Sequence, residues 1–223
     1  MKRLVFFLLS LAVATRLGAT AQAPDVLKIG AKTYFIHTNP LAPVLAASPG
    51  RLPEPEVHST GLWRGYIATW SVRDKQLFLE DVGVPTRKFM DDVPESEQLR
   101  SAMKALFGEA GPRPATWFTG HLVVPTGEIV DYVHMGYGST YSSYLVLTIV
   151  RGALQNEQAM NREEFERFRR AQYAAYRKTP QYAQSVADAK RGEDRMPDER
   201  IEEFLFQFAA EEYLSRVFEP ASP

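Results

Sequence analysis

The sequence predicts an α+β fold: an antiparallel sheet built from hairpins, one inserted helix, and a C-terminal α-helical appendage. Three observations carry this. Between residues 26 and 150, short runs of β-branched and aromatic residues alternate with turn residues. Within residues 95–107, Leu99, Ala102, Met103 and Leu106 recur at helical spacing. Beyond residue 152 strand formers thin out, and residues 161–217 carry apolar stripes of helical period.

The N-terminus reads as a secretory signal. Lys2 and Arg3 precede Leu4–Ala14, an apolar run broken only by Ser10. That run is too short for a membrane-spanning helix and suits a signal core. Cleavage after Ala19-Thr20-Ala21 leaves Gln22 first; the competing frame, Ala21-Gln22-Ala23, leaves Pro24. The expected organisation is a signal peptide over 1–21, an α+β core over 22–152 and the helical appendage over 153–223. The expected location is periplasmic or secreted.

Val26–Ile29 and Thr33–Ile36 read as strands around a Gly30-Ala31 turn. Five prolines between residues 38 and 57 mark a long surface loop. Trp63–Val72 and Gln76–Leu79 read as a second hairpin, with Leu77 and Leu79 on one face. The helix over 95–107 stops at Gly108. Thr116–Val124 and Glu128–Met135 read as a third strand pair around Pro125-Thr126-Gly127, and Tyr141–Val150 as a further strand, giving seven strands before residue 152. In the tail, Asn161 and Glu164 have capping-box spacing. Thr179-Pro180 and Pro197 start further helices, and Gly192 ends the one between them. The interspersed Arg and Glu read as a solvated face.

Composition excludes several classes. With no cysteine, the chain has no disulfide, lipid-bearing cysteine, thiolate nucleophile or cysteine metal site. The formal net charge is -1, and losing Lys2, Arg3 and Arg16 with the signal makes it -4. Such a balance argues against nucleic-acid binding and anionic membranes. No later segment approaches the roughly 20 apolar residues of a membrane span.

Three stretches carry a resemblance: Thr38-Asn39-Pro40-Leu41, Ser59-Thr60-Gly61-Leu62-Trp63-Arg64-Gly65-Tyr66-Ile67-Ala68-Thr69-Trp70, and Asp131-Tyr132-Val133-His134-Met135-Gly136-Tyr137-Gly138-Ser139. Together with Thr116–Gly120 and Pro125–Glu128, the string resembles a group of uncharacterised bacterial hypothetical proteins over roughly residues 26–152. The resemblance implies no activity. The signal and the helical tail are departures from it.

Candidate chemistry concentrates in two places. Trp63, Arg64, Tyr66 and Trp117 combine aromatic walls with a guanidinium, which suits a ligand carboxylate, sugar or peptide. The alternative puts the tryptophans in the core and Arg64 in an internal ion pair. Glu128–Tyr144 supplies His134 and Tyr137. His134 is a possible acid/base or ligand-polarising group, or a strand-end histidine bonded to backbone. Strand alternation separates it from Asp131 and favours Tyr132 or Glu128 as neighbour. His121 across the hairpin, with His134 and Glu128, would make a zinc-like set, although the spacing matches no zinc motif. Gly136–Thr140 is an anion nest or a plain turn.

The leading expectation is a non-catalytic envelope protein that binds a small molecule or a protein partner through Trp63, Arg64, Tyr66, Trp117, His134 and Tyr137, without cofactor or metal. A periplasmic hydrolase using His134 with Glu128 or His121 is the second, and an assembly role for the C-terminal helices the third.

Overall fold

The computed structural model describes residues 21–134, 136–191 and 196–217. The expected signal peptide, Ala21 excepted, falls outside them, as do Met135 and Gly192. The fold is α+β, with a large, mostly antiparallel sheet.

Strands β1 (Asp25–Ile29) and β2 (Lys32–Ile36) form the expected hairpin, with Gly30 at φ +57° in the turn. The proline-rich segment is not all loop: it contains helix α1 (Ala42–Ala47), opened by Pro43 in its first turn. A 3₁₀ turn, Thr60–Leu62, follows. Strand β3 (Ile67–Arg73) starts later than expected, so Trp63 and Arg64 lie in the turn before it. Strand β4 (Gln76–Pro85) returns after Asp74 and Lys75, both at positive φ, as a two-residue hairpin loop requires.

The expected helix over 95–107 is split. Helix α2 (Glu95–Gln98) and helix α3 (Met103–Phe107) flank strand β5 (Leu99–Ser101), which pairs with the end of β4. The split has a packing cause. A Cβ at Gly83 would sit 2.8 Å from Leu99 Cδ1, so Leu99 occupies the space that Gly83 leaves on β4. Gly108 ends α3 at φ +84° as expected. A short strand β6 (Arg113–Pro114) also pairs with β4.

The third expected hairpin does not form. Strand β7 (Gly120–Pro125) pairs with β10 (Ser143–Val150), whereas β8 (Ile129–Asp131) pairs only with β9 (Thr140–Tyr141) in a separate ribbon. Burial explains the divergence: β7 is apolar and covered on both faces, while β8 is exposed. The largest correction comes next. Residues 153–161, assigned to the helical appendage from sequence, form strand β11 (Ala153–Asn161), paired with β10 along its length. Arg151 and Gly152, both at positive φ, make the intervening turn. Only Met160 is fully buried on this strand, so its polar side chains face solvent and hide its character.

The sheet order is β2-β1-β3-β4-β11-β10-β7, with β1 and β3 parallel. It curls until its edges meet, where His37 N–H donates to the Val123 carbonyl at 2.8 Å. Leu27, Trp70, Leu77, Leu79, Phe118, Leu122 and Leu147 fill the concave side.

Helix α4 (Arg162–Tyr176) begins with both bonds of the expected capping box. Helix α5 (Pro180–Ala189) has Thr179 as N-cap, and α6 (Asp198–Phe208) follows Pro197. Helix α7 (Ala210–Leu214) closes the set. Their apolar faces form a second core with Val123, Tyr144, Val146 and Met160 of the sheet. Arg169 departs from the expected solvated face: it is buried, and bonds the Tyr213 hydroxyl and the Phe206 carbonyl, both at 2.8 Å. Among the described residues no helix is long and apolar enough to cross a membrane.

Candidate functional site

A carboxylate on a core-facing strand position organises the site. Alternation along β1 puts Asp25 on the same side as Leu27, and both are fully buried. A buried carboxylate needs donors on every side. Asp25 Oδ1 accepts from Arg64 at 3.0 Å and from the Ala68 amide at 3.1 Å; Oδ2 accepts from the Trp70 indole at 3.1 Å. Burial pushes the Asp25 carboxyl above its ordinary range, while Arg64, the Ala68 amide and the Trp70 indole draw it back.

Arg64 is the hub. Its side chain is 4 % exposed. NH2 donates to the Ala23 carbonyl at 2.8 Å as well as to Asp25; NH1 donates to Asn39 Oδ1 at 2.7 Å and to the Tyr66 hydroxyl at 3.4 Å. Burial lowers the guanidinium, but Asp25 together with Tyr137 and Tyr66 outweighs it and holds Arg64 above its ordinary value. The NH1 and NH2 groups are thus occupied by the protein, while the buried Nε has no described hydrogen-bond partner. The expectation that Arg64 clamps a ligand carboxylate gives way to the internal ion pair.

Asn39 carries the network to the C-terminal helices. Its Oδ1 accepts from Arg64 and from the Tyr137 hydroxyl at 3.3 Å, and its Nδ2 donates to Glu211 Oε2 at 2.5 Å. Burial raises the Glu211 carboxyl, opposed by Arg64 and the Asn39 bond. Tyr66 and Tyr137 are likewise raised by burial. Neither hydroxyl is poised to lose its proton near neutrality.

Above this floor lies an open groove of about 720 Å³ between α1 and α7. Pro43, Leu45 and Ala46 of α1 form one apolar wall, and Trp117 and Phe118 line the groove as well. Trp117 is fixed by its indole N–H on the Pro40 carbonyl at 3.1 Å and by stacking against Phe107. Trp63 is 64 % exposed at the margin. Beside it, a cavity of about 200 Å³ is lined by Trp63, Tyr137, Gln207, Phe208 and Glu211. Of the expected residues, Trp63, Arg64, Tyr66 and Trp117 therefore line one groove, and Tyr137 the adjoining cavity.

His134 stands apart. It is exposed, edge-on to Tyr132 at 4.5 Å, the neighbour that strand alternation favoured. His121 is buried on β7 against Phe168, with Thr148 Oγ1 at 3.2 Å from Nδ1, and burial lowers its pKa to about 4. Glu128 is exposed just before β8. No described hydrogen bond or ring contact joins His134 to Glu128 or His121. Asp131 bonds Thr140 at 3.0 Å and pairs with Arg162 instead. Among the described residues no group of three His, Asp or Glu is placed to hold a metal ion.

Asp25, Asn39, Glu211 and His37 were missed from sequence. Asp25 had a signal, since it shares a strand face with Leu27. His37 stacks on Tyr137 at 4.6 Å and lines a further cavity of about 300 Å³ against α4, and burial holds its pKa near 4. No family, curated protein or solved structure matches the chain.

Proposed function

We propose that this is an exported, non-catalytic binding protein that takes an amphipathic small molecule in the groove between α1 and α7. The observation carrying this reading is the groove itself. At about 720 Å³ it falls in the range of pockets that take drug-sized molecules, roughly 300–1,000 Å³. Its α1 wall is apolar, Trp117 and Phe118 add aromatic surface, and the α7 side carries Glu211, Glu212, Ser215 and Arg216. Its polar floor is tied down by the Asp25–Arg64–Asn39 network, so the surface is preorganised. Export rests on the signal-like sequence of residues 1–21. The hydrolase reading loses support, because His134, Glu128 and His121 are not assembled. An assembly role for the helices alone loses support too, because Glu211 and Ser215 help line the groove.

The test uses N-phenyl-1-naphthylamine, a neutral dye that brightens in apolar sites. The wild-type protein should brighten it saturably. Leu45→Glu, which puts a charge on the groove wall, should weaken binding at least about tenfold, about 1.4 kcal/mol. Native mass spectrometry of the protein purified from its host should show retained small-molecule mass. A dye that fails to bind, or binds Leu45→Glu equally, overturns the reading.

A further inference from the structure

The charges of the buried network do not balance. Asp25 and Arg64 neutralise each other, leaving Glu211. Among the described residues Glu211 has no ion-pair partner; its described bond is from the neutral Asn39 amide. The nearby Arg216, which also lines the groove, is shared with Glu212 at 3.9 Å. Arg64 also acts on Glu211, but it is already paired with Asp25, and a partly buried carboxylate short of counter-charge is costly to keep ionised. Glu211 also lines both the open groove and the 200 Å³ cavity beside it.

Three of the other lining residues of that cavity are aromatic, and Gly136, Gln207 and Ala210 complete it. Trp63, Tyr137 and Phe208 line the space that Glu211 borders; Tyr137 is itself stacked on His37, with the Arg64 guanidinium 6.0 Å from its ring, so Trp63 and Phe208 supply the open faces. Aromatic faces attract cations through the ring quadrupole, tryptophan most strongly, and cages of such rings recognise quaternary ammonium groups. The cavity is smaller than the roughly 300–1,000 Å³ of sites that take a whole drug-sized ligand. It therefore suits one head group, with the remainder of the molecule lying in the groove that shares Trp63.

The geometry points to an organic cation as the ligand: an alkylated ammonium group held against Trp63 and Phe208 beside Tyr137, with Glu211 as its counter-ion and an apolar portion running along α1. This rests on the groove being a ligand site and names the class of molecule it takes. Ammonium methyl groups need no hydrogen-bond acceptors, which agrees with a cavity whose tyrosine hydroxyl is already committed to Asn39. The cation restores neutrality to the network.

The experiment compares choline with 3,3-dimethylbutan-1-ol, in which carbon replaces the charged nitrogen at the same shape. Binding is read by calorimetry and by tryptophan fluorescence, with the naphthylamine dye as an independent probe of the groove. Choline should bind at least about tenfold tighter than its neutral isostere. Glu211→Gln keeps an oxygen for Asn39 and should abolish that preference, so that choline and its isostere bind alike. Trp63→Ala, at an exposed position, should weaken choline at least about fivefold with the fold unchanged. Equal binding of the two molecules, or dye binding without choline binding, overturns the cation assignment and leaves the groove reading standing. Failure of both choline and dye overturns both.

Discussion

Replacing Asp25 by alanine should be among the most damaging single changes available to this chain. The substitution removes the counter-ion of a side chain only 4 % exposed, Arg64, and orphans the Ala68 amide and the Trp70 indole N–H. Breaking one side of a buried ion pair costs about 3–5 kcal/mol. Each orphaned buried donor adds about 1–3 kcal/mol, less than additively, since water entering the vacated space would satisfy some of them. The expected loss therefore lies at or above the top of the ion-pair range, against a total stability of roughly 5–15 kcal/mol for a domain. Asp25→Asn keeps two acceptor positions and should cost less. Arg64→Met, which keeps the bulk of the stem, should also be destabilising, but the Asp25→Ala/Arg64→Met double variant should fall short of the sum by about 2 kcal/mol. Urea melts read these values. With slopes of about 1–3 kcal/mol/M, the Asp25→Ala midpoint should drop by at least about 1 M. A midpoint unchanged within error, or strict additivity in the double variant, would refute the idea that the pair holds the groove floor together.

Other consequences are open to measurement. Burial keeps His121 neutral to about pH 4, whereas the unfolded chain protonates it below about 6.5, so stability present above pH 6.5 should drain away between those values. The loss is on the order of 3 kcal/mol, and His121→Asn should flatten the urea midpoint against pH over that window; an equal slope would count against it. The raised carboxyls of Asp25 and Glu211 act in the opposite sense, gaining stability toward acid, which is why the comparison with the variant is needed. Gly120→Ala would place a Cβ 2.1 Å from the Ser215 carbonyl oxygen, so it should cost about 1–3 kcal/mol or more in a melt and weaken dye binding by displacing the end of α7. Removing residues 162–223 uncovers Val123, Tyr144, Val146 and Met160; the truncated chain should aggregate, and a monomer with a wild-type melt would show the helices to be dispensable.

Much of the fold was legible because it is written locally. The Gly30-Ala31 turn, the Asn161–Glu164 capping box and the Thr179-Pro180 start all depend on residues within a few positions of one another. Strand β11 was not legible, because its polar face looks outward and its identity comes from the backbone of β10. The Arg151-Gly152 pair held the missed clue, since a residue followed by glycine after a β-rich run can be a two-residue turn as well as a stop. In the site, the aromatic cluster was readable from Trp63, Tyr66 and Trp117. The role of Arg64 was not, because its partners come from residues 23, 25 and 39. Asn39 and Glu211 stand 172 positions apart, and no local pattern relates them.

That separation also bears on how the protein comes into being. The floor needs Asp25 from the first strand, Arg64 from the turn before the third, and Glu211 from the last helix. Its contacts are long-range, which slows folding and puts this region late in the sequence of events. On a nascent chain the strands of the first half can pair while Asn39 and Tyr137 still wait for Glu211. Until residue 211 emerges, Asn39 lacks the carboxylate to which it donates and the small cavity lacks that wall.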